Sequence, residues 1–407
     1  KEVVSTGGTS ALLVSRGSDH PWMTISRQDF KLEGLTAGGR LELGGLILEG
    51  SNPNRGTQAG PGAAQTPESG LGAGYLDLME LVQGHPLAMQ IVLPLLKDVP
   101  ASVVSGELLG RIAALQEGDQ EEARPDFLTA AMDYSFSRMP RRTRTHLPFL
   151  SLFQRRVMLD ILTHITQERP YRNVMGEELG WGACRTLLRS ARDAGFIEMV
   201  TPSVYQINPA FPWFYGRSLH RQARAAGVGQ LEQEFVRVYA DTADYFLETL
   251  HENQDAGATA VLLEEGNLTQ ALGLALEGRQ WEPAQILIQP LAQVYQMQKR
   301  YPELRRLRRQ VLQAVAPGEG SAQESQEQGA IELWLYLQGT EANEATELGD
   351  LERSEEINRD LLEYLESQES GNEDPRTASV CHQFGVIALR RWQVDQAEEW
   401  FQRSLAI

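Results

Sequence analysis

From about residue 231 to the end, apolar residues return at helical spacing with only short polar joints between runs. The stretch "LLEEGNLTQALGLALEGRQWEPAQILIQPLAQVYQMQKRYPELRRLRRQVLQAV" reads as consecutive amphipathic helices. A helix with one apolar face must bury it against a neighbour, so a series of them predicts a stacked helical array. The same period runs through "LVQGHPLAMQIVLPLL" (81–96), but Gly84, His85 and Pro86 interrupt it. Proline costs nothing in the first turn of a helix, where its missing N–H would be unpaired, and glycine frees the backbone for a sharp break. The pattern therefore predicts two helices meeting at a corner, the second starting at Pro86.

A chain of 407 residues is too long for one core, so about two to four domains are expected. The net charge of −18 is unevenly spread: residues 1–124 carry 9 basic and 15 acidic side chains, residues 125–225 carry 14 and 8, and residues 226–407 carry 14 and 32. A basic middle between acidic flanks marks regions with different surfaces. The acidic C-terminal region argues against nucleic acid as its partner, because phosphates repel it. No apolar run is long enough to span a membrane, and "KEVVSTGGTSALLVSR" lacks the apolar core of a signal peptide. Cys184 and Cys381 are far apart and lie in helical patterns, which predicts buried thiols in a reducing, cytoplasmic setting.

Along the chain, Ser10–Ser15 is a short apolar run that predicts a buried strand, with Arg16 at its carboxyl end, where α/β folds bind ligands. The glycine-rich segment around Leu41–Leu48 is a poor isolated helix and needs packing to hold it. Residues 50–74, rich in Gly, Pro, Ser, Asn and Gln, predict a flexible surface loop. Between 125 and 225, Leu187, Leu188, Ala191 and Ala194 form a helical stripe closed by Gly195. "FIEMV" and "VYQIN" follow as two short strands around Thr201-Pro202-Ser203. Arg185, Arg189 and Arg192 recur along that helix, a face suited to DNA or to an acidic neighbouring domain.

Four segments, in order, resemble the NB-ARC family of signal-transducing ATPases with numerous domains (STAND). "ALLVSRGSDHPWM" is similar to the family's sensor strand, with Val14-Ser15-Arg16 in the Thr-Ser-Arg slot. "GHPLAM" resembles its Gly-x-Pro segment. "FLTAAMDYSFSRMPRRTRTHLPFLSLFQRRV" is similar to the start of its winged-helix domain, and "CRTLLRSARDAGFIEMVTPSVYQINPAFPWFYGRSL" to its end. In "VYQINPAF", Ile207, Asn208 and Pro209 occupy the family's Met-His-Asp slot. The resemblance implies ADP or ATP bound by Arg16, Gly84, His85, Pro86 and Asn208, with Asn208 a weaker phosphate donor than the usual histidine. An N-cap role for Asn208 ahead of Pro209 is equally compatible with the residues. The last residues, "CHQFGVIALRRWQVDQAEEWFQRSLAI", resemble a tetratricopeptide repeat through Gly385, Ala388, Ala397 and Phe401. A less regular unit carries Ala342, Ala345, Ser354 and Leu361.

The expected fold is mainly α. Residues 1–30 form the end of an α/β nucleotide-binding domain, 31–124 a helical ARC subdomain, 125–225 a winged helix, and 226–407 an α-solenoid of tetratricopeptide-like hairpins. No Gly-x-x-x-x-Gly-Lys-Ser/Thr occurs, so the phosphate-cradling half is missing and ATP hydrolysis is not expected of this chain. Magnesium would bind only with that half. The chain is expected to be an internal piece of a slow regulatory ATPase, an NLR-like switch of the innate-immunity kind. It would sense a protein or peptide, basic or mixed in charge, on an acidic repeat surface, and its parent would oligomerise. The alternatives are a winged-helix transcriptional regulator and a repeat scaffold. The absence of HExxH spacing and of Gly-x-Ser-x-Gly leaves no catalytic or metal-ligating residue to name.

Overall fold

The computed structural model describes residues 34–50, 74–117, 127–315, 328–368 and 374–407. Arg16, the Ser10–Ser15 strand, the whole 1–30 segment and nearly all of the 50–74 loop lie outside the described residues. What is described is mainly helical, with one three-stranded sheet.

The first group comprises α1 (Ala37–Gly50), α2 (Tyr75–Leu81), α3 (Pro86–Val92), a 3₁₀ turn (Leu93–Lys97), α4 (Ala101–Glu117) and α5 (Phe127–Ser137). α2 packs on α4, and α3 on α5. Leu78, Val82, Ala88, Met89, Ile91, Val92 and Val104 fill their shared interior. The glycine-rich α1 is held as its sequence requires, by packing against α3 and the 3₁₀ turn.

Next come α6 (Arg141–His146), a 3₁₀ turn (Leu147–Leu152), β1 (Arg156–Met158), α7 (Leu159–Gln167), α8 (Arg169–Met175), α9 (Trp181–Asp193), β2 (Ile197–Thr201) and β3 (Val204–Ile207). The sheet order is β1-β3-β2, antiparallel throughout, with Val157 and Met199 flanking Tyr205. The central strand turns Tyr205 and Ile207 inward. Cys184, Leu187, Leu188 and Ala191 form the buried stripe of α9. β1 has only three residues and pairs with a strand some fifty positions away, so no local pattern announces it.

α10 runs unbroken from Ala210 to Glu252, straight through the boundary expected at 225/226. The shift in charge there marks a change of surface, not a break in the backbone. α10 forms a hairpin with α11 (Gln254–Glu277). Three more hairpins follow: α12 (Trp281–Met297) with α13 (Tyr301–Val315), α14 (Gln328–Leu348) with α15 (Leu351–Glu366), and α16 (Pro375–Arg390) with α17 (Val394–Ala406). The first helices of successive hairpins, α10, α12, α14 and α16, touch one another in turn, giving the stacked array that the apolar period predicts. Small residues set the close contacts: the Ser354 hydroxyl donates to the Ala342 carbonyl at 2.9 Å.

Candidate functional site

α2 ends where two successive residues, Gln83 (φ 51°) and Gly84 (φ 67°), enter the left-handed region. The Gln83 N–H donates to the Glu80 carbonyl and the His85 N–H to that of Val82, capping the helix. The Gly84 carbonyl accepts from Leu35 N–H at 2.9 Å. A Cβ on Gly84 would sit 2.5 Å from the Leu35 carbonyl oxygen, so the turn requires glycine for both conformation and space. Pro86 opens α3, and His85 Nδ1 accepts from Ala88 N–H at 3.4 Å as its N-cap. His85 and Pro86 are exposed while Ala88, Met89, Ile91 and Val92 are buried. The corner read from the sequence is therefore present, with the Pro86 ring facing outward. Arg40, which the sequence reading passed over, roofs the turn. Its Nε donates to the Leu35 carbonyl at 2.7 Å and its Nη1 to that of Met79 at 3.4 Å.

One turn along α3, the carbonyl of Gln90 lies against Gly195, the residue that closes α9. Gly195 has φ 75°, and a Cβ there would collide with the Gln90 carbonyl and stand 3.1 Å from Ile91 Cα. The next residue, Phe196, gives its carbonyl to Asn208 N–H at 3.2 Å. Asn208 Oδ1 accepts from Ala210 N–H at 3.1 Å, so its side chain caps the start of α10. The structure thus joins Gly84, His85 and Pro86 to Asn208 through α3, Gly195 and Phe196. With one oxygen committed to the cap, Asn208 keeps its amide N–H groups as donors. The described cation at the turn, Arg40, is already shared between two carbonyls.

Two polar networks went unread because their members are far apart in sequence. His146, fully buried, stands between the Tyr171 hydroxyl (2.7 Å, to Nδ1) and Glu177 Oε1 (3.0 Å, to Nε2). Arg142 holds both oxygens of Glu177, at 2.9 and 2.8 Å. Burial lowers the His146 pKa, with the Glu177 carboxylate opposing. The Arg142 guanidinium, with His146, holds Glu177 below the usual carboxylate range.

The second network pins the array to the sheet. Asn267 on α11 accepts from Gln154 N–H at 2.6 Å and donates to the Arg156 carbonyl at 3.0 Å and to Glu264 Oε2 at 2.6 Å. Glu264 also accepts from the Tyr239 hydroxyl at 2.9 Å. Burial raises the Glu264 pKa, and the two hydrogen bonds pull it back.

Among the described residues no group of three or more His, Cys, Asp or Glu is placed to hold a metal, and no helix is long and apolar enough to cross a membrane. Cys184 and Cys381 are free and buried. No family model, no curated protein and no solved structure matches the chain.

Proposed function

We propose that this chain is the relay and sensor portion of a STAND-type, NB-ARC-like signal-transduction switch. In it α1–α4 are the ARC subdomain, α5 to β3 with the start of α10 a winged helix, and the rest of α10 through α17 a tetratricopeptide-like sensor. The observation that carries the reading is the Gly84–Pro86 corner. It starts α3 with an outward-facing proline and seats that same helix on Gly195, next to Asn208. The order of a helix, β1, three helices (α7–α9) and the β2–β3 hairpin, with its sheet order β1-β3-β2, fits a winged helix.

ADP or ATP, when bound, would supply the differential binding energy that sets one arrangement of these parts against another. The chain's own residues do the rest. Pro86 and His85 offer a surface for the base, and Asn208 an uncharged donor. Gly195 permits α3 to lie flush against the end of α9. α10 continues without a break from the hairpin into the array, so a displacement at Asn208 reaches the sensor through one rigid element. Hydrolysis, and magnesium, belong to the P-loop half that this sequence lacks.

The test is nucleotide affinity in a longer protein that carries the P-loop half, by calorimetry with ADP. Pro86→Asp is expected to weaken ADP binding about tenfold, or 1.4 kcal/mol. Asn208→His is expected to tighten it, more at pH 6 than at pH 8, because the imidazole is then more charged. Unchanged affinity in both variants overturns the assignment.

One observation favours a second reading, a DNA-contacting winged helix. Arg189 on α9 is exposed, and Arg185 beside it lies over the Trp181 ring at 4.6 Å. Tight binding of duplex DNA at physiological salt, lost in Arg189→Glu, would favour that reading over the switch.

A further inference from the structure

Glu264 and Glu265 are neighbours on α11, yet they meet opposite surroundings. Burial works against the charge of Glu265, but the Arg300 guanidinium and the Tyr295 hydroxyl, at 2.8 and 2.7 Å from its Oε1, outweigh burial and lower its pKa. Glu264 is 1% exposed and is served only by neutral donors. The Tyr239 hydroxyl of α10, at 2.9 Å, and the Asn267 amide, at 2.6 Å, both donate to Oε2. Oε1 is buried and meets no donor among the described residues. From the facing strand β1, Arg156 turns its Nη1 to the Leu263 carbonyl at 3.3 Å. Its charge reaches Glu264 from a distance and, with the two hydrogen bonds, opposes the rise in pKa that burial causes. Phe153, after the 3₁₀ turn, brings an apolar ring edge-on to Tyr239, with the centroids 6.3 Å apart.

A carboxylate spreads its charge over both oxygens, and a buried one needs donors at each. A neutral acid needs less, because its carbonyl oxygen takes the donors while the other oxygen carries the hydrogen. Two donors on Oε2 and none on Oε1 is the arrangement of the acid. The same network is the junction between array and sheet. Asn267, which serves Glu264, also accepts from Gln154 N–H and donates to the Arg156 carbonyl. α11 comes so near that a Cβ on Gly266 would stand 3.1 Å from the Gln154 carbonyl oxygen. We infer that Glu264 is a proton-operated latch between the helical array and the sheet. With its proton it holds α11 against Gln154 and β1. When the proton leaves to solvent, the buried carboxylate draws in water, and the junction loosens to admit it. Tyr239 takes no part in the exchange: burial pushes its hydroxyl well above the ordinary phenol value, so it stays a donor. An unfolded glutamate loses its proton near about pH 4.3. The latch is therefore closed below that pH, and its contribution is lost as the pH rises through the higher folded value. This goes beyond the nucleotide switch and does not rest on it.

The experiment is hydrogen exchange, read by mass spectrometry, on the full 407-residue chain without nucleotide, in steps from about pH 4.5 to 8. Wild type is compared with Glu264→Gln, whose carboxamide oxygen accepts the same two bonds and which cannot ionise. Apart from the substituted position, chemical exchange rates are equal in the two proteins at each pH, so their ratio reports opening alone. Over residues 154–158 and 259–268 the ratio of wild-type to variant exchange is expected to be near one at the acid end and to rise more than about threefold by pH 8. In the helices of 342–407 it is expected to stay near one throughout. Tyr239→Phe removes a donor that favours the carboxylate. Its junction exchange, divided by the chemical rate, should therefore begin to rise at a higher pH than in wild type, a midpoint that a residue with a packing role alone would not move. That variant keeps the test in force where the glutamine variant does not fold. The inference is overturned by a ratio that stays constant from acid to pH 8, or by a glutamine variant that opens faster than wild type at pH 8, which would show that the charge itself holds the junction. A Tyr239→Phe midpoint that is unmoved or lower overturns it equally.

Discussion

At Gly84 a methyl group would have to share space with the Leu35 carbonyl, in a left-handed conformation that L-residues avoid. Gly84→Ala is therefore expected to cost about 2–3 kcal/mol. A change under about 0.5 kcal/mol in urea denaturation would mean that the corner is not held as described. His146 makes a different residue-scale prediction, in pH. Burial depresses its folded pKa below the unfolded value of about 6.5. A depressed histidine binds fewer protons folded than unfolded, so its contribution to stability is complete above about pH 6.5. That contribution is lost as the pH falls from there through the lower folded value. The groups facing the ring are the Tyr171 hydroxyl and the Glu177 carboxylate held by Arg142. His146→Phe should lower stability at pH 7.5 yet flatten its dependence between about pH 7.5 and 5.5. Equal slopes for the two proteins would assign the acid sensitivity to other groups.

Among the elements, the corner between α2 and α3 was legible because Gly and Pro act locally, on their own φ and N–H. The turns between later helices were not. Arg279 (φ 52°), Lys299 (φ 56°) and Trp392 (φ 62°) take the left-handed position that Gly349 fills between α14 and α15. In each case the residue after it donates back to a carbonyl five positions earlier. Tertiary packing imposes a conformation that these side chains do not advertise. Trp392 is 89% exposed, so it buries almost nothing in return for its strained backbone. Trp392→Gly is expected to stabilise the last hairpin by about 0.5–1 kcal/mol, and a lower thermal midpoint would show that the indole packs on something in solution. The contact of α11 with β1 was equally illegible, since Asn267 and Gln154 are separated by 113 positions. Asn267→Ala leaves the Gln154 N–H and the Arg156 carbonyl without their partners, a cost of about 1–3 kcal/mol. Arg155, exposed and at φ 65°, immediately precedes the strand this asparagine pins. Trypsin is therefore expected to cut after Arg155 faster in the variant, and identical digestion rates would deny Asn267 a clamping role.

Across the whole molecule, the helical period correctly gave the array, while charge gave a boundary at 225/226 that α10 ignores. Core continuity divides the chain at a third place. One buried cluster runs from Tyr75 to Leu337 and includes both the sheet and the first two hairpins, because α10 and the Asn267 network tie them together. A second, smaller cluster comprises Ala342, Ile357, Leu361, Leu362, Leu365, Val380, Cys381 and Phe384. The boundary lies inside α14: Ala330, Leu333 and Leu337 belong to the first core and Ala342 to the second, while Trp334 packs against both. Repeat arrays unfold as units coupled only to their neighbours, so a small terminal core should open before a large one. Hydrogen exchange is expected to show 342–407 opening at lower denaturant than 75–337. Phe384, stacked on Trp400 at 4.6 Å, anchors the smaller core. Phe384→Ala should cost about 3–5 kcal/mol there, moving the first transition and leaving the second in place. The Arg308–Glu344 pair crosses from one core to the other, so Glu344→Gln should widen the gap between the two transitions. A single transition at every amide, shifted as a whole by Phe384→Ala, would show that α14 couples the two cores into one cooperative unit.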